Sequence, residues 1–365
     1  MVVGSHQLSR AYAKAGHRVL HLSLPFSLAH LARLHRPRMY SRLKSAWKGP
    51  TERAPNLYEW IPLSLIPWDA AKRVMKFSSK NWCLPASRRV TQTIHRLQLD
   101  PIDVALIDDP RLYGVESILN AKKTVYRATD MYAELRGDPW IVDAERQLIR
   151  QVDGVFATSQ PVADHLSAIG DGCRVDVFPN GYDADHFEQT RKPDPSLDSI
   201  KQPRAVYVGA IDDRFDVEAV VDLASLKPEL EVLVYGPITE SIPSGLPANL
   251  KFMGSLQYAS LPAVLQHCEI AMLPLRDIPS NHGRSPMKYY EYAAARTKIV
   301  AFAGESLKRL GGEPGLFLYH EANGKSLAAA VDLALASDVQ PSADAHRSQS
   351  WANIADRILK VVSEL

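Results

Sequence analysis

A lysine and a glutamate stand three residues apart in a segment whose setting favours the binding of a phosphorylated ligand. Residues 285–291 read Ser-Pro-Met-Lys-Tyr-Tyr-Glu, so Lys288 and Glu291 share one face near the start of a helix that Pro286 opens. A helix N-terminus offers unpaired N–H groups and the positive end of the dipole, and the lysine adds a point charge. The spacing alone favours an exposed ion pair, and it is the neighbouring segments that favour a diphosphate site.

Glycine or charge follows three strand-like segments in the second half of the chain. These strand ends are 208–214 (Val-Gly-Ala-Ile-Asp-Asp-Arg), 235–237 (Tyr-Gly-Pro) and 275–288, which ends in the lysine. Ligands of open α/β sheets bind outside the carboxyl ends of the strands, where glycines let phosphate oxygens approach the backbone and cations neutralise them. Ordinary turn geometry explains the glycines equally well. The residues that we assign to such a ligand are Gly209, Arg214, Gly236, Arg276, Ser285, Met287, Lys288 and Glu291.

A carboxylate follows a strand-like segment in the first half of the chain. Residues 125–131 read Val-Tyr-Arg-Ala-Thr-Asp-Met, which places Asp130 where it could act as a general base on a hydroxyl. The alternative is an aspartate that caps the following turn. Asp108 and Asp109 are similar but weaker candidates, because Pro110 follows them as the expected start of a helix over 110–119.

No pattern in the sequence calls for a metal ion or a resident cofactor. Asp183-Ala-Asp185 matches the DxD pattern that binds Mg²⁺ with a sugar nucleotide, but it follows a Pro-Asn-Gly turn, where capping explains it better. The 12 histidines lack metal-ligand spacing, and the three cysteines are far apart. The sequence therefore predicts no metal site.

The charge is distributed unevenly along the chain. Residues 1–100 carry 17 basic and 4 acidic side chains, and residues 25–53 carry seven basic side chains against Glu52 alone. Aromatic and leucine side chains are interleaved with these cations, an arrangement that suits an anionic membrane surface, where each cation contributes about 1 kcal/mol. A solvated basic loop is the alternative. Nucleic acid is not an expected partner, because no nucleic-acid-binding module accompanies the charges.

Strand-like and helix-like segments alternate almost throughout, which predicts an α/β protein with doubly wound parallel sheets. A chain of 365 residues favours two domains, and we place them at 1–182 and 183–345, with an amphipathic helix over 346–365 that packs back toward the first domain. The first domain opens on a helix, so its usual first strand is expected to be missing. The start lacks the pattern of a signal peptide, and no apolar run reaches about 20 residues, so we expect a cytoplasmic protein.

Three motifs in their order along the chain resemble a GT-B glycosyltransferase. They are Pro179-Asn-Gly-Tyr-Asp183, Val208-Gly209 and Pro286-Met-Lys-Tyr-Tyr-Glu-Tyr292. Tyr126-Arg-Ala-Thr-Asp130 is also similar to the matching segment of the glucuronosyltransferase of bacterial xanthan assembly, whose relatives in capsule and exopolysaccharide synthesis share the Met-Lys helix. The resemblance implies two Rossmann-like domains that face each other across a cleft. It also implies transfer from a nucleotide-sugar, with UDP the expected nucleotide, to a glycan or lipid-linked glycan in bacterial surface polysaccharide synthesis.

The resemblance also implies a role for individual residues. Asp130 would deprotonate the acceptor hydroxyl, Lys288 would hold the diphosphate and Glu291 would contact the ribose. Gly209 would let the diphosphate approach, and the strand end that includes Ser255 would flank the base. Such enzymes usually need no metal, and several work at the inner face of the plasma membrane, which would give the basic segment a purpose as a peripheral membrane contact.

The chain departs from the pattern of its relatives at two places. Retaining relatives carry a glutamate where this sequence has Gly283, so the resemblance favours inversion at the anomeric carbon. Arg296 and Lys298 replace a usual glycine and proline after the Met-Lys helix. A sugar-nucleotide epimerase and a GT-B protein that binds without turnover therefore stay open as alternatives.

Overall fold

The computed structural model of the chain describes residues 4–64, 84–137, 139–285, 287–342 and 344–365. These residues form two compact units. Residues 4–178 and Ala355–Leu365 make the N-terminal unit, and Pro179–Ile354 make the C-terminal unit. The last helix, Trp351–Glu364, starts in the C-terminal unit and ends in the N-terminal unit.

Parallel strand pairs dominate the N-terminal unit. A three-stranded sheet has the order β1-β4-β3, β2 pairs with β5, and a four-stranded parallel sheet has the order β6-β7-β8-β9. Only β3, which runs antiparallel to β4, departs from the parallel pattern among these described strands. The strands are β1 Val19–Leu22, β2 Phe26–Ser27, β3 Thr51–Ala54, β4 Leu57–Trp60, β5 Leu63–Ser64, β6 Ile102–Ile107, β7 Ala121–Ala128, β8 Gly154–Ala157 and β9 Asp176–Val177.

Helices of the N-terminal unit follow the strands and cover the sheets. The α-helices are Gly4–Lys14, Pro37–Lys48, Leu84–Arg96, Glu116–Leu119, Tyr132–Arg136, Trp140–Ile149 and Gln160–Ile169, with 3₁₀ turns at Leu28–Arg33 and Pro110–Leu112. Strand β7 is buried along its second half, and Leu148 and Leu166 pack in the same core as its Tyr126. The Tyr126 hydroxyl donates to the buried Glu145 carboxylate at 2.7 Å, so the centre of this core contains a satisfied polar pair.

The expectation of one helix over 110–119 is wrong. The segment instead forms the 3₁₀ turn Pro110–Leu112 and the short helix Glu116–Leu119, separated by Gly114 at φ +91°. A positive φ interrupts a right-handed helix, and glycine adopts it without a steric penalty. The expectation of a missing first strand stays a prediction, because residues 1–3 lie outside the described part of the chain.

The C-terminal unit is built on a six-stranded parallel sheet of order β12-β11-β10-β13-β14-β15. Its strands are β10 Arg204–Val208, β11 Glu231–Tyr235, β12 Leu250–Gly254, β13 Ile270–Leu273, β14 Lys298–Phe302 and β15 Leu316–Tyr319. Its helices are Ala184–Phe187, Val217–Leu226, Leu261–Leu265, Pro279–His282, Met287–Ala294, Glu305–Lys308 and Gly324–Ala336, with 3₁₀ turns at Pro195–Leu197, Tyr258–Ser260 and Asp344–Gln349. Parallel sheets in both units confirm the predicted α/β architecture.

Both faces of this sheet are buried, because alternate residues of each strand point to opposite sides. Val232 and Val234 of β11 belong to the core that includes the helices Val217–Leu226 and Gly324–Ala336. Leu233 between them belongs to the opposite core, which contains Met287–Ala294. The near-continuous apolar run of these strands therefore follows from burial on two sides.

Candidate active site

The strand order of the C-terminal sheet reverses direction beside β10. The chain builds β10, β11 and β12 outward to one side and then returns to add β13, β14 and β15 on the other. Ligands of doubly wound sheets bind outside the carboxyl ends of the strands at this switch point. Gly209 directly follows β10, so it lies where the fold provides a ligand crevice.

Two glycine turns contact each other closely at this edge of the sheet. Gly209 N–H donates to the carbonyl of Tyr235 at 2.9 Å, and Gly236 N–H donates to the carbonyl of Gly254 at 2.7 Å. A Cβ atom on Gly236 would lie 1.6 Å from the carbonyl oxygen of Gly209, and Gly236 has φ +149°. Only glycine fits there. The exposed Ser255 follows Gly254, so the structure brings three predicted residues (Gly209, Gly236 and Ser255) to one edge.

The structure also brings Lys288 to the first of these turns. A Cβ on Gly209 would lie 2.8 Å from Cε of Lys288 and 2.4 Å from the hydroxyl of Tyr207. Lys288 is the second residue of the helix Met287–Ala294, and Met287 beside it is half-buried. Pro286, which was expected to open this helix, lies outside the described residues. The absence of a side chain at Gly209 leaves space for the lysine stem against the turn.

The segment after β10 is tied to the segment after β13. Arg276 N–H donates to the carbonyl of Arg214 at 3.0 Å, and the Asn281 side-chain amide donates to the same carbonyl at 3.1 Å. The Arg214 guanidinium is paired with the Asp212 carboxylate, with Nε 3.0 Å from Oδ1. Burial would raise the pKa of Asp212, but its hydrogen bonds to Arg214 and the charge of that guanidinium hold the pKa below its usual range. Arg214 is thus near the crevice with part of its charge neutralised.

Lys288 and Glu291 have opposite pKa shifts that share one main cause. Burial lowers the pKa of Lys288, and the nearby Arg284 guanidinium lowers it further, while Glu291 raises it. Burial raises the pKa of Glu291, an effect that Lys288 opposes. Both shifts mean that this half-enclosed site disfavours charge in the absence of a ligand. An anion that arrived beside Lys288 would raise the pKa of the lysine back toward its ordinary value.

Arg284 was not singled out from the sequence, and it is the main addition that the structure makes to the site. Its charge lowers the pKa of Lys288 and also of Asp212. It directly follows Gly283, at the place where a carboxylate was expected for a retaining enzyme. A second cation near Lys288 adds positive charge at the place where an anionic ligand would bind.

Two predicted residues have partners within the protein. The Arg276 guanidinium contacts the Glu218 carboxylate at 2.6 Å on the exposed surface. Ser285 is buried, and its hydroxyl accepts a hydrogen bond from Asn180 N–H at 2.7 Å. Ser285 therefore stabilises the loop that precedes Lys288. Arg276 forms an ion pair with Glu218.

Asp130 lies at the carboxyl end of β7 in the N-terminal unit, among other acidic groups. Burial raises the pKa of the neighbouring Tyr132 phenol, and the charges of Asp109, Asp130 and Asp108 raise it further. The Tyr132 hydroxyl is 2.6 Å from Oγ1 of Thr129 and donates to the Asp108 carbonyl at 2.5 Å. The structure thus brings the predicted base and both weaker candidates together around one buried phenol.

Asp108 and Asp109 differ in their partners. Asp109 is held by Arg111, whose Nε donates to its Oδ1 at 2.9 Å, and it also accepts from Arg111 N–H, so it caps the turn Pro110–Leu112. Asp108 accepts from the fully buried Arg127 at 3.4 Å, and burial raises its pKa although Arg127 opposes the rise. Asp109 thus caps the turn that follows it, whereas the N-cap position of the helix Tyr132–Arg136 after Asp130 is Met131.

Within the described ranges, no group of three or more His, Cys, Asp or Glu side chains could hold a metal ion. Asp183 is the N-cap residue of the short helix Ala184–Phe187, but its side chain makes no capping hydrogen bond there. Over the same ranges, no helix is both long and apolar enough to cross a membrane.

The fold resembles solved structures of glycosyltransferases over nearly its whole length. Sucrose-phosphate synthase from Thermosynechococcus elongatus is 16% identical, with 98% of this chain and 92% of that chain covered and a TM-score of 0.70. The HepE protein of Anabaena, solved with UDP and glucose, is 15% identical, with 96% and 100% covered and a TM-score of 0.65. A glycosyltransferase from Rickettsia africae is 12% identical, with 99% and 93% covered and a TM-score of 0.63. No protein with a curated description matches the sequence significantly.

The parallel sheets of the two units and the structural matches over nearly the whole chain show a GT-B fold. The family model described as Glycosyltransferase Family 4 matches residues 1–186, which is more than half of the 365 residues, and the model described as Glycosyl transferases group 1 matches residues 202–337. The chain belongs to Glycosyltransferase Family 4.

Proposed function

We propose that this glycosyltransferase moves a sugar from a UDP-sugar to a hydroxyl of a glycan or lipid-linked glycan in bacterial surface polysaccharide synthesis. The observation that carries the donor assignment is the position of Lys288 against Gly209 at the switch point, with Arg284 near enough to lower the pKa of the lysine. The UDP complexes of the Anabaena protein support a uridine nucleotide for a chain of similar fold.

The chemistry needs a base and an anion-binding site, and each unit supplies one of them. The acceptor oxygen attacks the anomeric carbon, the bond from that carbon to the diphosphate oxygen breaks, and Asp130 takes the acceptor proton. Lys288 and Arg284 stabilise the negative charge that develops on the leaving diphosphate. Glu291, one helical turn from Lys288, is assigned to the ribose hydroxyls. Glycine at 283 leaves that position without a carboxylate, which favours a single displacement with inversion.

A panel of nucleotide-sugars tests this proposal. We expect UDP and one UDP-sugar to raise the melting temperature of the full chain, and we expect slow hydrolysis of that sugar donor. Product made only when an acceptor glycan is added supports transfer, and an inverted anomeric configuration in that product supports the single displacement. Interconversion of the donor without an acceptor would instead identify an epimerase. Binding without turnover would identify a protein that has lost catalysis, and the absence of binding by any nucleotide would reject all of these functions.

We further propose that the protein works at the inner face of the plasma membrane. The first 51 residues contain no acidic side chain. On the helix Pro37–Lys48, Tyr40 and Trp47 are 63% and 82% exposed, and the exposed Lys44 and Lys48 lie on the same face. An aromatic side chain that sits at the lipid interface and cations that attract anionic head groups act together in such a face.

Two residues of the basic segment do not belong to this exposed face. Phe26 is buried in the N-terminal unit, and the Arg42 guanidinium donates to the carbonyl of Leu24 at 2.7 Å. The surface that we assign to the membrane is therefore narrower than the range 25–53. It consists of Leu28 and Leu31 on the 3₁₀ turn together with Tyr40, Lys44, Trp47 and Lys48 on the helix.

Vesicle co-sedimentation tests the membrane assignment. We expect the protein to bind vesicles that contain phosphatidylserine, to release them at high salt and to ignore vesicles of phosphatidylcholine alone. Trp47→Ala should weaken the binding, whereas Leu333→Ala, which removes a side chain of similar exposure in the C-terminal unit, should leave it unchanged. Equal binding by the wild type and both variants would reject this surface without affecting the donor assignment.

A further inference from the structure

On one side of β10, the last backbone groups of the strand form hydrogen bonds with a side chain and not with a neighbouring strand. Strand β10 pairs with β11 as far as Val208, but it pairs with β13 only at Ala205 and Val206. Beyond that point the Tyr292 hydroxyl takes the place of the strand. It accepts a hydrogen bond from Val208 N–H at 3.2 Å and lies 3.4 Å from the Val208 carbonyl oxygen, to which it donates.

Tyr292 joins the two parts of the candidate diphosphate site. It lies on the helix that carries Lys288, one turn further along, and its bonding partner Val208 directly precedes Gly209. Its side chain is fully buried, so water does not replace the hydroxyl as a partner for the backbone of the strand end. This hydroxyl therefore links the helix of the lysine to the residue that precedes the glycine turn.

A second tyrosine holds the other side of the same turn. The hydroxyl of Tyr207 donates to the carbonyl of Ala210 at 3.0 Å, and it is the atom nearest to a Cβ built on Gly209. Tyr207 is also buried. The residues on either side of Gly209 are therefore each held by a tyrosine hydroxyl that comes from within the core.

We propose that Tyr292 and Tyr207 are positioning residues that hold the Gly209 turn at a fixed distance from Lys288, and so preorganise the site for a nucleoside diphosphate. Neither hydroxyl needs to touch the ligand. A site that is already in the geometry of the complex avoids the free-energy cost of ordering when the ligand binds. The inference rests on the proposed donor site and extends it to two residues behind that site.

Tyrosine-to-phenylalanine variants of the full chain test this role because they remove one hydroxyl and keep the ring. We expect Tyr292→Phe to weaken UDP binding about tenfold in isothermal titration, and Tyr207→Phe to weaken it by a smaller factor. Tyr319→Phe is the matched control. Its hydroxyl is buried in the same unit and has no hydrogen-bond partner among the described residues, so its removal should leave UDP affinity unchanged.

A double-mutant cycle separates positioning from general destabilisation. If Tyr292 acts by placing the lysine, its removal should cost little affinity once Lys288→Ala is present, with titrations extended to millimolar UDP. The same fold-loss in both backgrounds would overturn the positioning role. Unchanged affinity in both Tyr292→Phe and Tyr207→Phe would overturn the inference alone, and Tyr207→Phe still tests it if Tyr292→Phe does not fold. A wild type that fails to bind UDP would overturn both the inference and the donor assignment.

Discussion

The carboxyl edges of the two parallel sheets carry opposite chemistry. In the C-terminal unit, two glycine turns contact each other, and one of them lies against a lysine whose pKa is lowered by burial and by a neighbouring arginine. In the N-terminal unit, three aspartates surround a buried phenol. The first edge suits an anionic leaving group, and the second suits the removal of a proton. We propose that the two edges supply the two complementary halves of a transfer reaction.

The two edges also differ in how they are held. Close backbone contact fixes the C-terminal edge, since Gly236 leaves no room for a Cβ beside Gly209. Side chains fix the N-terminal edge, where Tyr132 links Thr129 to the backbone of Asp108. We assign the C-terminal edge to the donor diphosphate and the N-terminal edge to the proton of the acceptor. Substitutions at the two edges should therefore impair different steps.

The largest expected effect comes from the N-terminal edge. Asp130→Asn should lower the rate of transfer by roughly 10²–10⁴, the usual contribution of a general base, and leave UDP affinity unchanged. Asp103→Asn is the control, because Asp103 is an exposed carboxylate of the same sheet that pairs with Lys122. Turnover by Asp130→Asn at the wild-type rate would contradict the assignment of Asp130 as the base. Asp108, the neighbour whose pKa is raised by burial, would then be the next candidate.

The next largest effect is a pH dependence of the affinity for UDP, which we assign to Lys288 at the C-terminal edge. Lys288 must be protonated to hold a diphosphate, and its pKa in the free protein lies below the ordinary lysine value of about 10.4. The affinity for UDP should therefore fall as pH rises through that lowered pKa, by about tenfold per pH unit above it. Titrations in buffers of different ionisation enthalpy should show uptake of a proton on binding. An affinity that stays constant up to pH 10 would contradict the placement of the diphosphate at Lys288.

The smallest effect should come from Arg276. Its pairing with Glu218 on the surface leaves it little to offer a ligand, so Arg276→Ala should change UDP affinity by no more than about threefold. Arg284→Ala should cost clearly more, since Arg284 is close enough to Lys288 to shift its pKa. The comparison is made by titration with UDP under one set of conditions. A larger loss of UDP affinity in Arg276→Ala than in Arg284→Ala would contradict these assignments. It would show that Arg276, and not Arg284, contributes to binding.

Local patterns in the sequence were sufficient for much of the C-terminal edge. Gly209 and Gly236 are recognisable because strand ends can be read from apolar runs, and parallel strands bring their ends to one edge. Ser255 was expected only from the resemblance. Arg284 could not be found in this way, because a single arginine in a loop carries no periodic signal. The partner of Arg276 was equally hidden, since Glu218 is 58 residues away in the chain and meets it only in the folded sheet.

The architecture of the fold was also predictable from the sequence, whereas some of its local details were not. Alternation of strands and helices indicated two α/β units, and both have parallel sheets. The broken helix at Gly114 and the burial of Phe26 were missed for a shared reason. Local propensity describes an isolated segment, whereas turn geometry and packing against other elements decided these positions. The proposed acceptor class rests on the resemblance to polysaccharide glycosyltransferases.

The central claim is that Lys288, against the Gly209 turn, binds the diphosphate of a nucleotide-sugar. Titration of the wild type and of Lys288→Ala with UDP tests it most directly, with the unliganded melting temperature as a check on folding. The loss of a charge-assisted hydrogen bond, about 1.5–3 kcal/mol, predicts that the variant stays folded and binds UDP roughly 10- to 150-fold more weakly. A folded Lys288→Ala variant with wild-type affinity for UDP would contradict the claim.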